Sequence, residues 1–112
     1  MRSSLELWLI MRFDPTKELS ESEVRDLIDY IWSSGGTIIP SRHAKERMIE
    51  RGYSLRDIMH IISNGSLVES EFNSSMENWK YKFEGEDLDD TAGGVVVSIA
   101  KHYKCIIITV FS

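Results

Sequence analysis

Apolar positions recur at helical spacing through residues 20 to 64 and at alternate positions through residues 66 to 111. Val24, Leu27, Ile28 and Ile31 mark one stripe, predicting a helix that starts at Ser20. Ser20 and Glu23 stand at capping-box spacing, and Gly35 and Gly36 end the pattern. Ile38 and Ile39 form a short apolar stretch stopped by Pro40. Ser41 reads as the N-cap of a second helix reaching to Gly52. Ser54 and Asp57 cap a third, with Leu55, Ile58, Ile61 and Ile62 as its stripe and Asn64-Gly65 as its stop.

Strand signals follow. Leu67 to Phe72 is mixed, while Trp79, Tyr81 and Phe83 alternate with Lys80, Lys82 and Glu84, as in a sheet with one wet face. Gly85 to Gly94 reads as an acidic loop. Val95 to Ala100 and Cys105 to Phe111 are β-rich runs joined by Lys101-His102-Tyr103-Lys104, a hairpin connection. The expected architecture is α+β: about three helices packed on an antiparallel sheet of three or four strands.

Length changes the picture little. The 112 residues suit one domain, over which residues 1–12 read as an N-terminal extension, since Met11 makes a more ordinary start. Apolar residues make up 42% and charged residues 28%, which excludes a disordered or collagen-like chain. The apolar runs are too short to span a bilayer, and Glu6 interrupts the first of them, so neither a membrane protein nor a signal peptide is expected. A single cysteine, Cys105, sits in an apolar run, where it reads as a small buried hydrophobe in a cytoplasmic protein.

Charge matters more by position than in total. The net of −5 argues against a general nucleic-acid binder. Residues 1–40 carry 4 basic and 7 acidic groups, and residues 61–93 carry 2 and 8. Residues 41–60 carry 5 basic and 3 acidic groups, and residues 94–112 carry 2 and 0. The second helix and the terminal hairpin are therefore locally basic.

Inside the basic helix, His43, Arg47 and Arg51 stand at i, i+4 and i+8, along one face. Two guanidiniums offer rigid forks for phosphate oxygens, and an imidazole moves a proton near neutral pH. RNA cleavage without a metal needs such parts: a base for the 2′-hydroxyl, cations for the pentacoordinate phosphate and an acid for the leaving oxygen. Two readings stay open: this site, or a solvated face whose arginines pair with Glu46, Glu50 or the acidic loop. Lys80 and Lys82 share the strand face opposite Tyr81, as an exposed strand or as flanks of a base-stacking platform. Lys101, His102 and Lys104 crowd a hairpin tip. His43, His60 and His102 lack metal-ligand spacing, so neither metal nor cofactor is expected.

Ser41-Arg42-His43-Ala44-Lys45-Glu46-Arg47-Met48-Ile49-Glu50-Arg51-Gly52 resembles the opening of the domain of unknown function 4258 family, His-Ala-x-x-Arg-Met-x-x-Arg-Gly. The likeness continues through the helix ending at Gly65 and the strands to Phe111, covering residues 41 to 111. It implies kinship with the small RelE/ParE-type toxin fold. Glu69-Ser70-Glu71-Phe72-Asn73-Ser74-Ser75-Met76 is similar to a Glu-Ser-Asp-Phe-Tyr-Lys-Ser-Met segment of the MqsR motility-regulator toxins, which are mRNA interferases neutralised by an antitoxin. Their active set does not transfer. Its lysine falls on Ser74, its glutamine on Lys80, its tyrosine near Val96 and its terminal lysine near Ser112.

These resemblances imply a toxin-like, metal-independent endoribonuclease; as the interferase set does not transfer, the chain's own His43, Arg47, Arg51 and Lys80 are the expected catalytic set, with Lys82, Lys101 and His102 on the RNA. The alternative is a catalytically silent RNA- or protein-binding module of the same fold. Expected partners are RNA, a cognate antitoxin and, through a sheet edge or the apolar stretch around Trp8, a second copy.

Overall fold

Three serines each start a helix. The computed structural model describes Leu7 and residues 11–112. Ser20 Oγ accepts from the Glu23 amide at 3.3 Å while Glu23 accepts from the Ser20 amide at 2.9 Å, opening α1, Glu21–Ser33. Ser41 Oγ accepts from the Ala44 amide at 3.0 Å at the head of α2, Arg42–Arg51. Ser54 and Asp57 repeat the capping box at α3, Leu55–Asn64. Gly52 sits at φ +67°, the left-handed conformation that lets the chain leave α2 sharply.

The strands are β1 Thr37–Pro40, β2 Ser66–Asn73, β3 Asn78–Glu86, β4 Ala92–Ala100 and β5 Lys104–Phe111. They form one sheet in the order β1-β5-β4-β3-β2. β1 lies parallel to β5, and the other neighbours are antiparallel. The α+β class and the three helices stand as expected. The sheet differs: it has five strands, not three or four, and is mixed. Ile38 and Ile39 supply the extra strand, whose four residues carry too little pattern to announce a partner 67 residues along. The acidic loop is also shorter than expected, because Gly85, Gly93 and Gly94 belong to β3 and β4.

One sheet face carries the helices. Phe83, Val95, Val97, Ile107 and Val110 are fully buried there against Val24, Leu27, Ile28, Ile31, Ile58 and Ile61. Each such side chain contributes about 1.5–3 kcal/mol on burial. Tyr81 shares that face, its phenolic oxygen accepting from the Leu19 amide at 2.9 Å, and burial pushes its pKa up to about 12. Cys105 is buried as expected, which raises its thiol to about 12. The other face is open. Cross-strand register places Lys80 and Lys82 on it beside Glu71 and Glu69 of β2 and Ser98 and Val96 of β4. Among the described residues no helix is long and apolar enough to cross a membrane. Trp8 and most of the expected extension over residues 1–12 lie outside the described residues.

Candidate functional site

β1 hands the chain to α2 at the middle of β5. The Ser41 amide donates to the Ile107 carbonyl at 2.8 Å, and the Ser41 hydroxyl donates to the Ile108 carbonyl at 2.9 Å. The same hydroxyl caps α2, so one side chain sets both where the helix starts and where it sits. From Ser41 to Arg51 a helix advances roughly 15 Å. From Ile108 to Ser112 a strand advances roughly 13 Å. The lengths match, and at the far end Arg51 Nη1 donates to Ser112 Oγ. The helix thus takes the place of β1 beside the second half of β5.

This placement turns Arg47 and Arg51 towards β5. Both are half-buried, and their Nε atoms are enclosed without a hydrogen-bond partner. Arg47 Nη1 pairs with Glu50 at 3.2 Å, as one of the two sequence readings anticipated. Arg51 makes no ion pair among the described residues, its recorded partner being the Ser112 hydroxyl. His43, one turn before Arg47, is exposed and makes no hydrogen bond among the described residues.

The acidic loop does not cover these arginines. Asp87 folds it on itself, accepting from the amides of Asp89 at 2.8 Å and Thr91 at 3.0 Å. Asp57 then anchors it to α3 by accepting from the Leu88 amide at 3.2 Å. Tyr53 completes the anchor: burial first and neighbouring Asp87 second push its phenol upward, keeping it a neutral donor. Tyr53 had no sequence signal, being one aromatic after a helix-ending glycine.

Phe111 adds an aromatic surface. Its ring lies over Gly94, where a Cβ would overlap it. Lys82 Nζ stands 4.9 Å from the ring centroid on the open face. Ser112 follows directly and holds Arg51, so the end of β5 has Lys82 over its aromatic ring and Arg51 on the next residue. An open groove of about 580 Å³ passes this point, bounded by Phe111, Ser112, Gly93, Glu84 and Ser66. In sequence Phe111 is only the end of the β-rich run from Cys105. The register shift between Val96 and Val97, which returns Phe111 to the open face, leaves no mark in the residue pattern.

The remaining expected site residues fall elsewhere. Lys80 faces Ser98 and Ile106, one alternate position along from Lys82, and its Nζ is 3.6 Å from Glu71. Lys80 is thus level with Ile106, six residues before the Ser112 that holds Arg51, whereas Lys82 reaches the Phe111 ring. Lys101 and His102 form the β4–β5 turn, where His102 and Tyr103 hold φ of +64° and +56°. Six residue steps of about 3.3 Å separate that turn from Phe111, placing it roughly 20 Å away at the opposite end of the sheet. The structure thus brings His43, Arg47, Arg51 and Lys82 around β5 and leaves Lys80, Lys101 and His102 outside.

Comparison with curated proteins and with solved structures gives no match. The family described as Domain of unknown function (DUF4258) matches residues 41–112. The match begins at the Ser41 cap and takes in α2, α3 and all four antiparallel strands, hence the whole α2–β5 site. This chain belongs to that family.

Proposed function

We propose that the chain binds single-stranded RNA along α2 and the second half of β5. The observation that carries this reading is the end of β5, where Phe111 carries Lys82 over its ring on the open face and the next residue, Ser112, holds Arg51. Stacking on an aromatic between backbone-holding cations is how single strands are bound without base readout. Arg47 and Arg51 supply phosphate forks, and Lys82 supplies a third charge. Arg47 is paired with Glu50 and Lys82 with Glu84, and Glu84 and Glu86 line the groove, so Arg51 brings the charge that has no ion pair among the described residues.

A second reading, metal-independent cleavage, is favoured by one feature: His43 is exposed one turn from Arg47. His43 would take the 2′-hydroxyl proton as that oxygen attacks the adjacent phosphorus. The bond to the 5′-oxygen would then break, and that oxygen would take a proton from water or from the imidazolium. The products would be a 2′,3′-cyclic phosphate and a 5′-hydroxyl, with Arg47 holding the pentacoordinate phosphate. Lys80, tied to Glu71, has no part in this scheme.

Anisotropy of a short labelled RNA in EDTA tests both readings. Binding by wild type, weakened in Arg51→Gln and Phe111→Leu, supports the RNA site; equal affinity in all three overturns it. A cyclic-phosphate product lost in His43→Ala supports cleavage, and intact RNA restricts the site to binding.

A further inference from the structure

We propose that β2 is a docking edge for a basic, extended segment of a partner protein, which adds to the sheet as a sixth strand. This surface adjoins the α2–β5 site at Lys82, which Glu69 faces, but its edge lies on the far side of β3 from α2. Among the described residues β2 closes the sheet at one side and pairs with β3 alone, so past the register shift at Val68 alternate residues turn backbone amide and carbonyl outward. Glu21 of α1 occupies one end by accepting from the Leu67 amide at 2.9 Å. Beyond Leu67, a run of β2 from Val68 to Asn73 remains at the rim.

The side chains of that run are two-sided. Glu69 and Glu71 lie on the open sheet face opposite Lys82 and Lys80. Glu71 stays 60% exposed in spite of its pair with Lys80, and Glu69 makes no ion pair among the described residues. On the other face Phe72 is 43% exposed, its ring 5.6 Å from Trp79, while Val68, 48% exposed, sits at the register shift of β2 and lines the groove with Glu84 and Phe111. An added strand therefore meets carboxylates on one face and apolar surface on the other. The occupant that fits carries Lys or Arg at alternate positions and aliphatic residues between them.

A second copy fits poorly. Two β2 strands paired antiparallel about Ser70 would set Glu69 of each against Glu71 of the other. Pairing about Glu69 or Glu71 would set that residue against its own copy. Like charges directly opposite destabilise a strand pair, whereas a lysine opposite each glutamate stabilises it. The edge thus discourages self-association and admits a strand of opposite charge.

The test uses the full chain and a labelled peptide as long as the 8 residues of β2, alternating lysine and valine. Two control peptides carry glutamate for lysine, or N-methyl groups on alternate amides. The expected result is binding of the lysine peptide, slowed amide exchange confined to β2, and no binding of either control. Glu69→Gln with Glu71→Gln should weaken it about tenfold, since each cross-strand charge pair contributes a fraction of a kcal/mol to one. Equal binding of the N-methylated peptide, protection away from β2, no binding at all, or a β2-mediated dimer of the free chain would each overturn the proposal.

Discussion

Arg51 and Ser112, 61 residues apart, are joined side chain to side chain, and this contact closes the last turn of α2 onto the end of β5. With the Ser41 contacts to Ile107 and Ile108, it fixes the helix alongside the strand at both ends. The basic face of α2 therefore has a defined neighbour, the end of β5, where Phe111 carries Lys82 over its ring.

Arg51→Gln separates function from stability. The wild-type guanidinium already leaves Nε enclosed and unpartnered, so its removal should change unfolding free energy by less than about 1 kcal/mol. RNA affinity should fall roughly tenfold, the equivalent of 1.4 kcal/mol. Urea melts and anisotropy titrations on the same preparation check both numbers.

Lys80→Ala is expected to be nearly silent. Its exposed pair with Glu71 contributes about 0–1 kcal/mol, and it stands away from the α2–β5 strip. RNA affinity within about twofold of wild type would agree with this, since twofold is a few tenths of a kcal/mol. A loss as large as that of Arg51→Gln would return Lys80 to the site.

Tyr81→Phe removes the acceptor for the buried Leu19 amide and should cost about 1–3 kcal/mol. The pH dependence has a definite sign. The folded phenol ionises at about 12, above its unfolded value near 10, so its contribution is full below about pH 10 and is lost as pH rises towards 12. Alkaline unfolding should be less steep in Tyr81→Phe. Cys105, raised to about 12 by burial, should stay unreactive to thiol reagents until the chain unfolds.

Asp57 ties α3 to the acidic loop. The Ser54 amide, ahead of the opposing effect of burial and helped by the Leu88 amide, holds its carboxyl below the ordinary value. A depressed folded pKa stabilises above the unfolded pKa near 4 and loses that stabilisation as pH falls through the folded one. Asp57→Asn should therefore be about 1 kcal/mol less stable at neutral pH, a typical cap loss. The gap between variant and wild type should narrow on acidification below about pH 4, read from urea melts across pH.

The helices were legible because capping and stripe signals are local: Ser20, Ser41 and Ser54 each announce a start within three residues of the amide they accept from. β1 was not, since its strand partner is remote and parallel. The basic helix face also showed in the spacing of His43, Arg47 and Arg51. What that face looks at did not, because Phe111 owes its place to a register shift and to the side chain missing at Gly94. Lys80 and Lys82 look equivalent in sequence, yet their cross-strand neighbours, Ser98 against Val96, set them at different levels of the sheet.

The salt dependence of RNA binding tests the central claim most directly. Phosphate contacts from Arg47, Arg51 and Lys82 predict a slope of log affinity against log salt near −2, at about 0.7 per contact on a single strand. Arg51→Gln should make that slope shallower by about 0.7. A flat salt response, or a slope that Arg51→Gln leaves unchanged, would contradict an RNA site on α2 and β5.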